Sequence, residues 1–71
     1  MKRTIIHNTD KFTVTSYGNG LAYDLWHKLQ CESVFFQGDD SFDFESRVTV
    51  EEALGRSYNE IFDAIWSEYA S

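Results

Sequence analysis

The sequence predicts a small α+β domain, and three observations carry that prediction. Residues in the first half alternate between apolar and polar at the two-residue period of a strand. Glycine-containing turns interrupt that alternation, and the last dozen residues switch to the 3.6-residue period of a helix. At 71 residues, with 42% hydrophobic and 17% aromatic side chains, the chain supports one ordered domain with a thin core. The expected architecture is a three-stranded antiparallel β-meander followed by two or three short helices packed on one sheet face.

The first clear strand is Lys11 to Tyr17, with Phe12 and Val14 on one side and threonines on the other. Gly18-Asn19-Gly20 follows, three residues tolerant of positive φ, and reads as a hairpin turn. From Leu21 to His27 the alternation resumes. Leu21, Tyr23 and Leu25 are expected to face inward, with Ala22, Asp24 and Trp26 on the opposite side. Lys28 to Glu32 makes a second turn, and Ser33 to Gln37 a third strand. Thr4 to His7 can add a short edge strand.

Gly38-Asp39-Asp40-Ser41 reads as a turn whose aspartates cap a helix. Residues 41–48 fit two states. Phe42, Phe44, Val48 and Val50 alternate as in a strand, whereas Phe44 and Val48 also share a helix face. Acids in the first turn favour the helix. Thr49-Val50-Glu51-Glu52 has capping-box spacing and is expected to open a separate short helix closed by Gly55. Ser57-Tyr58-Asn59-Glu60 is a second capping box. It precedes a stripe of Tyr58, Ile61, Phe62, Ile65, Trp66 and Tyr69, which should lie across the sheet against Phe12, Val14, Leu21, Tyr23 and Leu25.

Tyr17-Gly18-Asn19-Gly20-Leu21-Ala22-Tyr23, followed by Ser33-Val34-Phe35-Phe36-Gln37-Gly38-Asp39-Asp40, resembles a loose group of small bacterial and phage-type proteins. In that group a glycine-turn hairpin precedes a Gln-Gly-Asp-Asp turn and a helix start. The resemblance covers roughly residues 12–45 and the Trp66-Ser67-Glu68-Tyr69 end. It implies strand, hairpin, strand, then helix, and no activity. Phe42 departs from the group's more polar stretch after the paired aspartates.

Charge is divided unevenly. Up to Gly38, Lys2, Arg3, Lys11 and Lys28 outnumber Asp10, Asp24 and Glu32; beyond it, Arg47 and Arg56 face nine acids, so the second half carries the whole excess of the net charge of −6. That sign argues against direct nucleic-acid binding, which needs positive charge, and it suits a protein partner with a basic surface. Cys31 has no partner for a disulfide, which suits a reducing compartment, and the basic N-terminus lacks an apolar signal-peptide stretch. A cytoplasmic protein away from membranes is expected.

No catalytic constellation is visible. Asp39, Asp40, Asp43 and Glu45 could offer oxygens to a hard cation, but their spacing does not match a calcium loop and capping explains them, so no metal or cofactor is expected. His7 and His27 lack ligand-spaced neighbours and read as surface or edge histidines. Cys31 lacks the electropositive surroundings of a nucleophile. What remains is surface. Trp26 is expected on the open side of the sheet, with Phe35 or Phe36 beside it depending on register and Phe35 taken as the candidate, as a protein-binding or homodimer patch unless Ile5 and Ile6 of the N-terminal arm cover Trp26. Asp39, Asp40, Glu51, Glu52, Glu60, Asp63 and Glu68 are the acidic candidates for a protein contact. Those on the last two helices could imitate a phosphate track, as in mobile-element inhibitors of the anti-CRISPR or DNA-mimic type. The alternative is a self-associating accessory protein that pairs through its open sheet face.

Overall fold

A computed structural model describes residues 2–70. It contains an antiparallel sheet of four strands, β1 (Arg3–Asn8), β2 (Phe12–Tyr17), β3 (Ala22–His27) and β4 (Glu32–Gln37), in the order β1-β2-β3-β4. Two helices follow, α1 (Asp39–Ala53) and α2 (Tyr58–Tyr69). The α+β class and the meander are as expected, but the sheet has four strands. The short N-terminal segment is a full six-residue strand paired with β2, and its register shifts between Ile5 and His7 at a bulge.

The turn after β2 explains a second difference. Gly18, Asn19 and Gly20 all take positive φ, and the Leu21 amide donates to the Tyr17 carbonyl at 3.0 Å. Leu21 therefore completes the turn, and pairing begins at Tyr17 with Ala22. Leu21 does not join the core; it is 66% exposed. In the next turn Cys31 adopts φ 53° without being glycine, which no residue pattern announces.

The acids after Gly38 begin a helix, and it runs unbroken to Ala53. Ser41, Phe44 and Val48 form its buried stripe, while Phe42 and Val50 point to solvent, so the strand-like alternation of this segment was coincidental. Two assignments change. Gly38, not an aspartate, is the N-cap, no side chain caps this end, and Asp39 and Asp40 occupy the first turn. They favour the helix through its dipole. Thr49 opens no second helix; its hydroxyl donates to the Glu45 carbonyl at 2.9 Å within the helix. Burial of Val48 one residue earlier outweighs the local capping signal. Gly55 does close the helix: its amide donates to Glu52 O and the Arg56 amide to Glu51 O, a Schellman pair.

Ser57 caps α2 as expected. Its hydroxyl accepts from the Glu60 amide, and the Glu60 carboxylate accepts from the Ser57 amide at 3.1 Å. The α2 stripe buries Ile61, Phe62, Ile65 and Trp66 against Phe12, Val14, Tyr23, Leu25 and Phe36 of the sheet and Phe44 and Val48 of α1. Both helices cross the strands. Helix α1 starts over Phe36 of β4, 4.7 Å from Phe44 between ring centroids. Helix α2 starts beside His7 of β1, 4.4 Å from Tyr58, and ends beside Phe36, 5.0 Å from Tyr69. His27 is no edge histidine: it is buried, its ring 4.8 Å from Phe12 and 5.0 Å from Trp66.

Candidate interaction surface

Both helices cover the same face of the sheet, so alternation along the strands sends every second side chain to an uncovered face. The cross-strand register aligns Ile5, Thr15, Asp24 and Phe35 in one row across all four strands. A second row holds Asn8, Thr13, Trp26 and Ser33, and a third Arg3, Tyr17, Ala22 and Gln37. Ile5 is 62%, Phe35 52% and Trp26 37% exposed. Tyr17 packs edge-on against Phe35 at 5.8 Å. The result is a group of exposed apolar side chains arranged around Asp24 and interspersed with polar residues.

The N-terminal segment does not cover Trp26. It is committed to pairing with β2, which separates it from β3, so Ile5 extends the exposed row as a member of it. The expected Trp26 and Phe35 thus lie together on the open face. Tyr17 belongs with them, and so does Ile5, as a member of the exposed row and not as a cover for Trp26. Their assignment needed β1 as a paired strand and the register that places Tyr17 diagonal to Phe35.

The acidic candidates lie elsewhere, and most have internal partners. Glu51 pairs with Arg56 at 2.6 Å, and Glu68 pairs with Arg47, which joins the two helices. Glu60 is held by its capping box. Donation from the Ser57 amide and hydroxyl, with Arg56 nearby, keeps its carboxyl below the usual range. Glu52 accepts the Tyr58 hydroxyl. Asp63 is exposed and has no side-chain partner among the described residues. Asp39 and Asp40 are exposed at the start of α1, and among the described residues no group of His, Cys, Asp or Glu is assembled to hold a metal ion.

A second feature, absent from the sequence reading, lies on the helical side beside β1. The bulge at Ile5–His7 leaves a cleft between β1 and the second half of α1, lined by Ile6, His7, Tyr23, Glu45, Val48 and Glu52. The Tyr23 hydroxyl donates to Glu45 Oε2 at 2.7 Å and fastens α1 to β3. Burial, reinforced by that carboxylate, pushes the Tyr23 phenol up to about 12. Tyr58 is raised by its hydrogen bond to Glu52. His7, between Tyr58 and Phe62, is lowered by burial against the opposing pull of Glu52. Sequence spacing gave no signal for these pairs, because Tyr23 and Glu45 are 22 positions apart.

No helix among the described residues is long and apolar enough to cross a membrane. No family model matches the chain, and neither curated proteins nor solved structures provide a significant match.

Proposed function

We propose that this chain is a non-enzymatic protein-binding module whose contact surface is the open face of its sheet. The observation that carries the reading is the exposure of Ile5, Trp26 and Phe35 in adjacent rows of a sheet whose other face is already filled by two helices. An exposed apolar group of this kind gains most when a partner removes it from water, and Trp and Tyr are favoured anchors in such contacts. Asp24 at its centre suits a partner with a basic group among apolar ones.

The narrower reading makes the partner a nucleic-acid-binding host complex, blocked by acidic helices that imitate phosphates. The charge excess after Gly38 supports it. The internal pairing of Glu51, Glu52, Glu60 and Glu68 weakens it, because paired carboxylates present less negative potential to a partner. Self-association through the same sheet face is the alternative that the exposed apolar group supports.

Three proteins compared side by side separate these readings. They are the wild type, the Trp26→Ala/Phe35→Ala variant, and a Glu60→Lys/Asp63→Lys/Glu68→Lys variant. Each is immobilised and offered a bacterial lysate, and retained proteins are quantified by mass spectrometry. A specific protein retained by the wild type and the lysine variant, but lost from the alanine variant, is the expected result. The reverse pattern, with a basic protein lost as salt rises, transfers the function to the helices. Sedimentation showing a wild-type dimer and a monomeric alanine variant assigns the face to a second copy.

A further inference from the structure

Taking the open sheet face proposed above as the contact surface, we infer that its partner is a second copy of this chain, packed sheet against sheet. Charge complementarity within the face carries this. In the three rows that cross it, the charged residues are Arg3 of β1 and Asp24 of β3, and neither has an ion pair among the described residues. Asp24 suits a basic group set among apolar ones. The same face presents one: Arg3 lies directly across from Tyr17 and two positions from Ile5 on the same side of β1. In a two-fold contact both pairs form together, Arg3 of each copy with Asp24 of the other. The same charges choose the axis. An axis across the strands, through the row of Ile5, Thr15, Asp24 and Phe35, would set each Asp24 on its counterpart, like charge on like. An axis along the strands, between β2 and β3, sets β1 over β4 and β2 over β3 of the second copy. Ile5 then meets Phe35, and Asp24 lies over Thr15. Arg3 stands one strand and one row from Asp24, a gap that its long side chain leans across.

The division of charge between the two layers favours the same arrangement. Residues up to Gly38 carry four cations and three acids, whereas the helical layer carries nine acids against two arginines. Sheet-to-sheet packing leaves the two acidic layers on the order of 30 Å apart, several times the screening length of about 8 Å at physiological salt. Helix-to-helix packing would press them together. The area of the face sets the strength. Four strands of six residues make a footprint of about 400 Å² per copy before side-chain relief. Interfaces that bury less than about 1,200 Å² in total belong to weak, reversible contacts, so a dissociation constant on the order of 100 μM is expected.

Sedimentation equilibrium from about 10 μM to about 1 mM brackets that value. The wild type should pass from monomer to dimer across the range, and Trp26→Ala/Phe35→Ala should stay monomeric. Arg3→Asp alone and Asp24→Arg alone each set like charges together, and each should weaken self-association about tenfold or more. An equimolar mixture of those two variants recreates both opposite-charge pairs in the mixed dimer. It should therefore associate more tightly than either variant by itself, a result that a folding defect cannot produce. A wild type still monomeric at about 1 mM, a dimer that the alanine variant retains, or a mixture no tighter than its components would overturn the second copy as partner. The lysate comparison judges the face separately. A monomeric wild type that retains a protein lost from the alanine variant sinks this inference and keeps the face as a contact surface. A monomeric wild type that retains none sinks both.

Discussion

The two faces of the sheet receive equal aromatic endowments and opposite fates. Phe12, Tyr23 and Phe36 point to the helices and are buried; Tyr17, Trp26 and Phe35 point away and stay partly exposed. The difference lies in what separates them. On the inner face the intervening residues include Val14, Leu25 and Val34, so the rings belong to a continuous apolar floor that a helix stripe can cover. On the outer face Thr13, Asp24 and Ser33, none of them buried, intervene. Burying them against a helix would cost hydrogen bonds to water that an apolar stripe cannot replace. Such a face tolerates solvent when free and still offers aromatic anchors to a partner. One face therefore holds the fold together, and the other is available for contact.

Truncating one ring on each face tests that division most directly. Phe62→Ala, which removes an α2 side chain with no exposure from the inner core, should cost about 3–5 kcal/mol of stability in denaturant titrations. Phe35→Ala should cost no more than about 1 kcal/mol and should act on binding instead. Equal losses from the two substitutions would make the outer face a structural core and break the comparison.

A smaller effect is expected at the margin of the inner face. Gly20 has φ 98°, and a Cβ built there would stand 3.1 Å from the Tyr23 hydroxyl and 3.6 Å from Glu45 Oε2. Gly20→Ala meets backbone strain and a hydrogen bond that must shift together, so a loss of about 1–2 kcal/mol is expected. The pH at which Tyr23 forms phenolate, followed by near-ultraviolet absorbance, should fall from about 12 in the same variant as its contact with Glu45 loosens. An unchanged value would mean that the turn yields and the clasp does not.

The smallest effect concerns His7, where the inner face meets β1. Burial lowers its pKa in the folded chain, so as pH falls the unfolded chain takes up the proton first. Stability should be full above the ordinary histidine value of 6.5 and should decline as pH drops through and below it. Thermal midpoints compared between about pH 7.5 and pH 5.5 should show this decline in the wild type. The decline should shrink in His7→Phe, which keeps a ring beside Tyr58. The contribution of Glu60 is lost only at lower pH, beneath the ordinary carboxyl value of 4.5, so the two groups separate along the pH axis. A decline unaffected by His7→Phe would place the titrating group elsewhere.

Much of this was legible in local pattern. Alternation at Phe12–Tyr17, the Gly18-Asn19-Gly20 turn, the Ser57–Glu60 capping box and the α2 stripe each depend on neighbours within a few positions, and those neighbours decide them. Trp26 falls on the open face for the same reason, whereas the choice between Phe35 and Phe36 waited on the register of β4 against β3. The segment after Gly38 was harder, because its two periods coincide at Phe44 and Val48. Only the core, by accepting those two and leaving Phe42 and Val50 outside, made it one continuous helix through Thr49.

The sequence by itself determined the class of fold, the order of strands and helices, and the concentration of acid after Gly38. These follow from periodicity, turn chemistry and composition, all of which are local or additive. Tertiary structure decided what depends on register and on packing between distant segments. It made β1 a full partner of β2, so that Ile5 joined the exposed row and Trp26 stayed uncovered. It spent four of the nine helical acids on Arg47, Arg56, Ser57 and Tyr58. It also brought Tyr23 to Glu45 and His7 to Tyr58, and so formed a cleft that no spacing in the chain announces. Contacts between residues far apart in the chain leave no period behind them, and those contacts shape both the open face and the cleft.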